Sequence, residues 1–151
     1  MTIWIDGDGC PKGAVRFAIE TGEAREIKVV VVTNIHHELS AAHRIIVDGS
    51  SQAVDLAIAN RMRPGDVVIT QDIGLSALVL SRRGYAISPT GQEYSSEDMG
   101  LILELREAAA KHRRGGGRTK GPKKRTAEDE TRFQLALIEL LDRIDSKRND
   151  E

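Results

Sequence analysis

Apolar residues occur along this chain in two alternating forms: short continuous runs bounded by Gly, Pro and Asp, and longer segments in which they recur every three or four positions. Runs at residues 2–6, 27–33, 43–48, 66–70 and 85–88 have the length and Val/Ile content of buried strands. The first helix starts around Cys10, with Pro11 in its first turn where no N–H is needed, and ends before Gly22. A second follows Ser50-Ser51, carries Val54, Ala57, Ile58 and Met62 on one face, and stops at Pro64-Gly65. A third spans about Ile73 to Ser81 and ends at Gly84, and a fourth turns Met99, Ile102, Leu103 and Leu105 inward. Near the end, Phe133, Ala136, Leu137, Leu140, Leu141 and Ile144 form the stripe of an amphipathic helix that must dock on something. Strands alternating with helices predict an α/β protein: a mostly parallel, five-stranded sheet covered on both faces, a three-layer α/β/α arrangement.

Charge divides the chain further. Lys111 to Arg125 holds eight Lys and Arg and no acid, against fourteen basic and twenty-three acidic residues elsewhere, so +8 faces −9 within a net charge of −1. Interrupted by Gly115-Gly116-Gly117 and Gly121-Pro122, this stretch is too polar to order itself by burial and reads as a flexible loop over 111–126. It separates an α/β body, 1–110, from a C-terminal helix and tail, 127–151, that pack on the same domain or across a homodimer. At 151 residues a single core is expected. Aromatics at 3% are too scarce for base stacking to be a main mode of nucleic-acid binding. With Cys10 as the one cysteine, an intramolecular disulfide and a thiolate zinc cage are excluded. The absence of an apolar run of ~20 residues and of a signal peptide predicts a cytoplasmic protein without membrane contact.

The candidate chemistry lies where strands end. Asp6 and Asp8 follow the first strand, and Asp72 stands two residues beyond Thr70 at the end of the fourth. If the second and fourth strands flank the first on opposite sides, the winding reverses between them and a crevice opens at their carboxyl ends. Asp6 and Asp8 then line one wall and Asp72 the other, with Asp55 leaning in from the second helix. Two like charges ~4 Å apart repel by ~4 kcal/mol at an effective dielectric of 20, so such carboxylates need a cation or shared protons. An all-oxygen donor set favours Mg²⁺ or Mn²⁺, and such an ion suits phosphodiester hydrolysis.

The Asp6 and Asp8 pair is more than one helix cap requires, whereas the other acids also have plainer roles. Asp72 before Ile73-Gly74-Leu75 is equally a helix N-cap, and Asp55 in an early helical turn suits the macrodipole. Asp66 precedes its strand and reads as a turn residue. Cys10 reads as a small packed residue, although a helix start can lower a thiol pKa. His36-His37 reads as solvated loop and Trp4 as core.

Taken together, Trp4-Ile5-Asp6-Gly7-Asp8-Gly9-Cys10-Pro11, Val54-Asp55, Gly65 through Ile73, Ser88-Pro89-Thr90-Gly91, the Gly116-Gly117 to Gly121-Pro122 loop and the Arg132-Phe133 helix with Leu137 resemble the bacterial YaiI/YqxD family over nearly the whole chain. The resemblance implies a PIN-like fold and a metal-dependent nuclease site, with Asp6 and Asp72 as principal ligands, Asp8 and Asp55 as supporting acids, and Thr70 as a hydroxyl near the phosphate. Two departures stand out. Gly7 and Gly9 occupy positions where the family is expected to have alanine, and Thr90 replaces an arginine often found in the last loop motif.

The expected activity is therefore cleavage of RNA by a Mg²⁺- or Mn²⁺-dependent nuclease with Asp6, Asp8, Asp55 and Asp72 as catalytic residues and Asp6, Asp8 and Asp72 as metal ligands. Thr70 and the basic residues Arg113, Arg114, Arg118, Lys120 and Lys123 would hold the phosphate backbone. Two alternatives use the same residues. Asp6-Gly7-Asp8 with Val32-Thr33-Asn34 resembles a haloacid-dehalogenase-like phosphatase, in which Asp6 is the nucleophile and Asp8 the acid/base. A catalytically inactive protein that binds RNA or another partner through its basic loop is the other.

Overall fold

The computed structural model describes residues 1–34, 43–47, 51–116 and 124–150. Its elements run β1 (Thr2–Asp6), α1 (Lys12–Ala24), β2 (Lys28–Thr33), β3 (His43–Ile46), α2 (Ser51–Arg61), β4 (Val67–Ile69), α3 (Ile73–Ser81), β5 (Tyr85–Ile87), β6 (Glu93–Tyr94), α4 (Ser96–Arg114) and α5 (Ala127–Asn149). The strands form one sheet in the order β3-β2-β1-β4-β5-β6. All neighbouring pairs are parallel except β5 with β6. This is a mixed α/β fold, and its sheet has six strands where the hydrophobic pattern predicts five. The sixth is a two-residue return strand, too short to leave a periodic signal.

The alternation of side chains along each strand decides what each face of the sheet meets. Ile3 and Ile5 of β1, Val29 and Val31 of β2, Val67 and Ile69 of β4 and Ile87 of β5 pack with the buried faces of α1 and α5. Trp4, Val30, Val32, Val68 and Ala86 point the other way and pack with α2 and α3 through Val54, Ile58, Leu75 and Val79. Both faces are apolar because both are covered, as a parallel sheet requires.

Of the stripe on α5, Phe133, Leu137, Leu140, Leu141 and Ile144 are buried, and Ala136 packs against them. The helix begins in a capping box, in which Thr126 Oγ1 accepts from the Asp129 N–H and the Asp129 carboxylate accepts from the Thr126 N–H. Arg25 at the end of α1 pairs with Asp142 at 2.8 Å, and Arg143 pairs with Glu93 of β6. The turn between β5 and β6 presses onto the same helix. Gly91 has φ +93°, and a Cβ there would come within 2.8 Å of the Arg132 backbone.

Three expectations shift. α1 continues through Gly22 to Ala24, because this glycine serves close packing: a Cβ at 22 would lie 2.2 Å from Val29 Cγ2. α4 runs on through Arg114, so Lys111–Arg114, read as the start of the basic loop, are helical, with four basic side chains in the last turn that suit the helix dipole. Leu103, expected inward, is 39% exposed. The side chains of Met99, Ile102 and Leu105 lie outside the described residues, as do residues 117–123 of the basic stretch and His36-His37. Among the described residues, no helix is long and apolar enough to cross a membrane.

Asp66 has a larger role than a turn residue. It is 5% exposed, and its carboxylate accepts from Thr2 N–H at 2.9 Å, Trp4 Nε1–H at 3.0 Å and Arg63 N–H at 2.9 Å. A buried carboxylate is tolerated here because three donors replace its water. It ties β1 to β4 at the amino ends of both strands.

Candidate functional site

β1 has β2 on one side and β4 on the other, so the winding reverses between β1 and β4 as expected from the sequence, and the carboxyl ends of these strands are where a crevice forms in open α/β sheets. Asp6 ends β1 and is 8% exposed. Its Oδ2 accepts from Thr70 Oγ1 at 2.9 Å, and the Asp72 N–H donates back to that same hydroxyl at 3.0 Å. One threonine therefore links the acid of the central strand to the backbone of the acid beyond β4.

Asp8 lies on the opposite flank. It accepts from Thr33 Oγ1 and, at 2.9 Å, from the Asn34 N–H, so both of its oxygens face the end of β2. Asp72 caps α3, its Oδ1 accepting from the Leu75 N–H at 2.8 Å. The capping role and membership of the crevice are held by one residue, since Oδ1 serves the helix while the charge still reaches its neighbours. Asp55 is half-buried in the second turn of α2, which packs against β1, β2 and α3.

Electrostatics couples three of these acids. Burial pushes the Asp6 carboxyl above its ordinary range; the hydrogen bonds from Thr70 and the Gly9 backbone pull it down, and the negative charges of Asp8 and Asp72 raise it further. A carboxyl raised on folding contributes stability that is present below its unfolded pKa and lost as pH rises through its folded value. The stability of Asp6→Asn relative to the wild type should accordingly improve as pH rises from about 3 to neutrality. Chemical denaturation of both proteins across that range checks this, and a flat difference would contradict it.

The loops around the acids are tightly fitted. A Cβ at Gly9 would lie 3.0 Å from Asp6 Oδ2, and Gln71 Nε2 donates to the Gly9 carbonyl at 2.7 Å, joining the loop after β1 to the one after β4. Cys10 donates to the Ile69 carbonyl at 3.5 Å. Burial pushes its thiol far up, Asp6 adds to this, and Arg125 only partly opposes it. Cys10 stays protonated and packed.

Sequence reasoning missed three participants. Gln71 stands between two residues that were singled out, but its clamp depends on the fold. Tyr94 of β6 is buried, and burial together with the charge of Asp72 raises its hydroxyl pKa, which identifies it as a neighbour of the crevice. Arg125 donates to the Pro89 carbonyl and pairs with Glu130, its guanidinium 6.0 Å from the centre of the Phe133 ring. It belongs to the basic stretch and docks on the loop after β5, with its charge acting on Cys10. Arg113 and Arg114 are exposed at the end of α4, while Arg118, Lys120 and Lys123 lie outside the described residues.

The donor set is chemically suited to a hard divalent cation, being carboxylate and hydroxyl oxygen without imidazole or thiolate. Its placement is looser than a ready-made cage: among the described residues no three His, Cys, Asp or Glu side chains are gathered closely enough to hold a metal ion. Mg²⁺ does not require such a cage, since it commonly takes one or two carboxylates and keeps water or substrate phosphate for the rest. Asp6, held by Thr70, and Asp72, whose backbone N–H meets the same hydroxyl, are the acids that would meet that lesser demand.

Comparison with known proteins agrees with the motifs. Residues 4–143 match the profile described as an uncharacterised bacterial family, YaiI/YqxD. A UPF0178 protein of Heliobacterium modesticaldum is 42% identical over 141 residues, covering 93% of this chain and 97% of its own length. One from Exiguobacterium sibiricum is 43% identical over 93% of this chain and 96% of its own, and one from Clostridium novyi is 37% identical over 99% and 100%. No solved structure matches the chain. With a family profile and full-length relatives agreeing over the same residues, the chain belongs to the YaiI/YqxD family.

Proposed function

We propose that the acidic crevice hydrolyses phosphodiester bonds in RNA with Mg²⁺ or Mn²⁺, in a three-layer, PIN-like α/β/α domain of the cytoplasm. The observation that carries this reading is the buried Asp6 carboxylate at the end of the central strand, joined through Thr70 to Asp72 across the winding reversal. Asp6 and Asp72 would hold the ion, which supplies an acidified water and neutralises a phosphate oxygen when bound. Asp8, fixed by Thr33 and Asn34, adds negative charge from the β2 side, and Asp55 of α2 would be a supporting acid. Thr70 orients Asp6. The basic stretch, with Arg113, Arg114, Arg118, Lys120 and Lys123, attracts the polyanion, and Arg125 anchors its far end to the loop at Pro89.

Cleavage of a labelled RNA pool in Mn²⁺ tests this. Asp6→Asn and Asp72→Asn should each lower the rate about a hundredfold or more, the scale for losing one group that stabilises charge in the transition state. Full activity in both would overturn it.

The bond between Thr33 Oγ1 and Asp8 favours one second reading, a haloacid-dehalogenase-like phosphatase, because it sets a hydroxyl from the neighbouring strand end beside the second acid of Asp6-Gly7-Asp8. There Asp6 would attack phosphorus and Asp8 would protonate the leaving group. Trapping of a phosphoenzyme at Asp6 separates this reading from direct attack by water.

A further inference from the structure

At the amino ends of the strands, opposite the acidic crevice, lies a cleft of about 420 Å³. Its lining includes Arg63 and Gly65 from the connection between α2 and β4, Lys147 and Arg148 from the last turn of α5, and Tyr85 and Ile144. The volume is within the range of small-ligand sites. Gly65 has φ +89° and open space where a side chain would stand, so the wall is bare backbone at that point.

Three features set this cleft apart from an ordinary charged surface. Its cations come from two elements distant in sequence. The dipole of α5 accounts for Lys147 and Arg148 at its C-terminus but not for Arg63. None of the three is in an ion pair among the described residues, whereas Arg25, Arg125, Arg132 and Arg143 all are. Finally, the one acid among the described residues that line the cleft, Asp66, is buried and directs its oxygens at Thr2, Trp4 and the Arg63 backbone. Lys147 Nζ rests 6.0 Å over the Tyr85 ring, and no carboxylate among the described residues pairs with it.

We propose that this cleft binds the phosphate group of a small ligand or of a nucleic-acid end. Two guanidinium groups offer forked donors that match phosphate oxygens, the ammonium adds a third charge, and a concave site lined by one sign of charge concentrates anions. Tyr85 and Ile144 give the non-phosphate part of the ligand an apolar floor. The site is independent of the chemistry in the crevice.

Pyrophosphate, adenosine monophosphate and a 5′-phosphorylated RNA trinucleotide, titrated separately into the full chain in metal-free buffer and followed by backbone amide NMR, test the proposal. Saturable shifts are expected at Gly65, Tyr85 and Lys147 with pyrophosphate, and binding should weaken about tenfold or more in Arg63→Gln/Arg148→Gln, with Lys147→Gln as a second variant. All three side chains are exposed, so the variants retain the fold, which their amide spectra verify directly. Tighter binding of the mononucleotide than of the trinucleotide identifies a free nucleotide as the ligand, and the reverse identifies a strand end. Absence of saturable shifts at these amides in the wild type, or undiminished affinity in the folded variants, overturns the proposal.

Discussion

Replacing Asp66 by alanine is expected to remove about 3–4 kcal/mol of folding stability, because it strands three donors at once and an unsatisfied buried donor costs ~1–3 kcal/mol with less than full additivity. The Trp4 indole N–H is buried within the sheet, and the Thr2 and Arg63 amides lose the partner that orders the entry to β1 and the connection into β4. For a chain of this size the midpoint should fall by about 10 °C. Asp66→Asn keeps one carbonyl oxygen and should fall between wild type and alanine. Thermal and urea denaturation of the three proteins gives the ranking; a loss below ~1 kcal/mol in Asp66→Ala would show that water or a shifted backbone takes over these donors.

Phe133→Ala should cost about 3–5 kcal/mol, the usual range for truncating a buried aromatic. Phe133 is completely buried between α5, α1 and the sheet, its ring meeting Phe17 edge-to-face with centroids 6.2 Å apart and lying under the Arg125 guanidinium. The expected loss is large because α5 completes the core instead of decorating it: five of its side chains close the face formed by Ile3, Ile5, Val31 and Ile69. Leu135→Ala on the same helix is the control. Leu135 is 64% exposed, and its truncation should stay within ~0.5 kcal/mol. Urea unfolding should show one transition in both variants, with a marked drop in midpoint for Phe133→Ala alone. Equal stability of the two would mean that α5 packs elsewhere.

These two residues also mark the limit of what was legible in the sequence. Phe133 declared itself, because a helical stripe is a local pattern whose meaning survives without knowledge of its partner. The five longer strands and the ends of α3 were legible for the same reason. Asp66 was legible only as a turn residue, because its partners Thr2 and Trp4 are more than sixty positions away and no spacing rule connects them. Gly22 was read as a helix stop when it is a contact with Val29, since local propensity cannot distinguish a breaker from a close approach. β6 escaped because two residues have no period.

The candidate site divides along the same line. Asp6, Asp8 and Asp72 were legible because acids at strand ends follow from chain direction and topology alone, and the sheet order brings their loops to one crevice. How they are held was not legible. The Thr70 bridge, the Gln71 clamp, the turn of Asp8 toward Thr33 and the docking of Arg125 on Pro89 are tertiary contacts. They matter to the proposed chemistry, because they determine which neighbour each carboxylate faces, and they are the reason the proposal rests on Asp6 and Asp72 as the ligand pair.

Calorimetric titration of Mn²⁺ into the wild type, Asp6→Asn and Asp72→Asn at neutral pH addresses that pair directly. Saturable binding in the wild type that weakens at least about tenfold in each variant is the predicted result, as expected when one of two charged ligands to a divalent ion is neutralised. Equal binding in all three proteins, or none in the wild type, contradicts it.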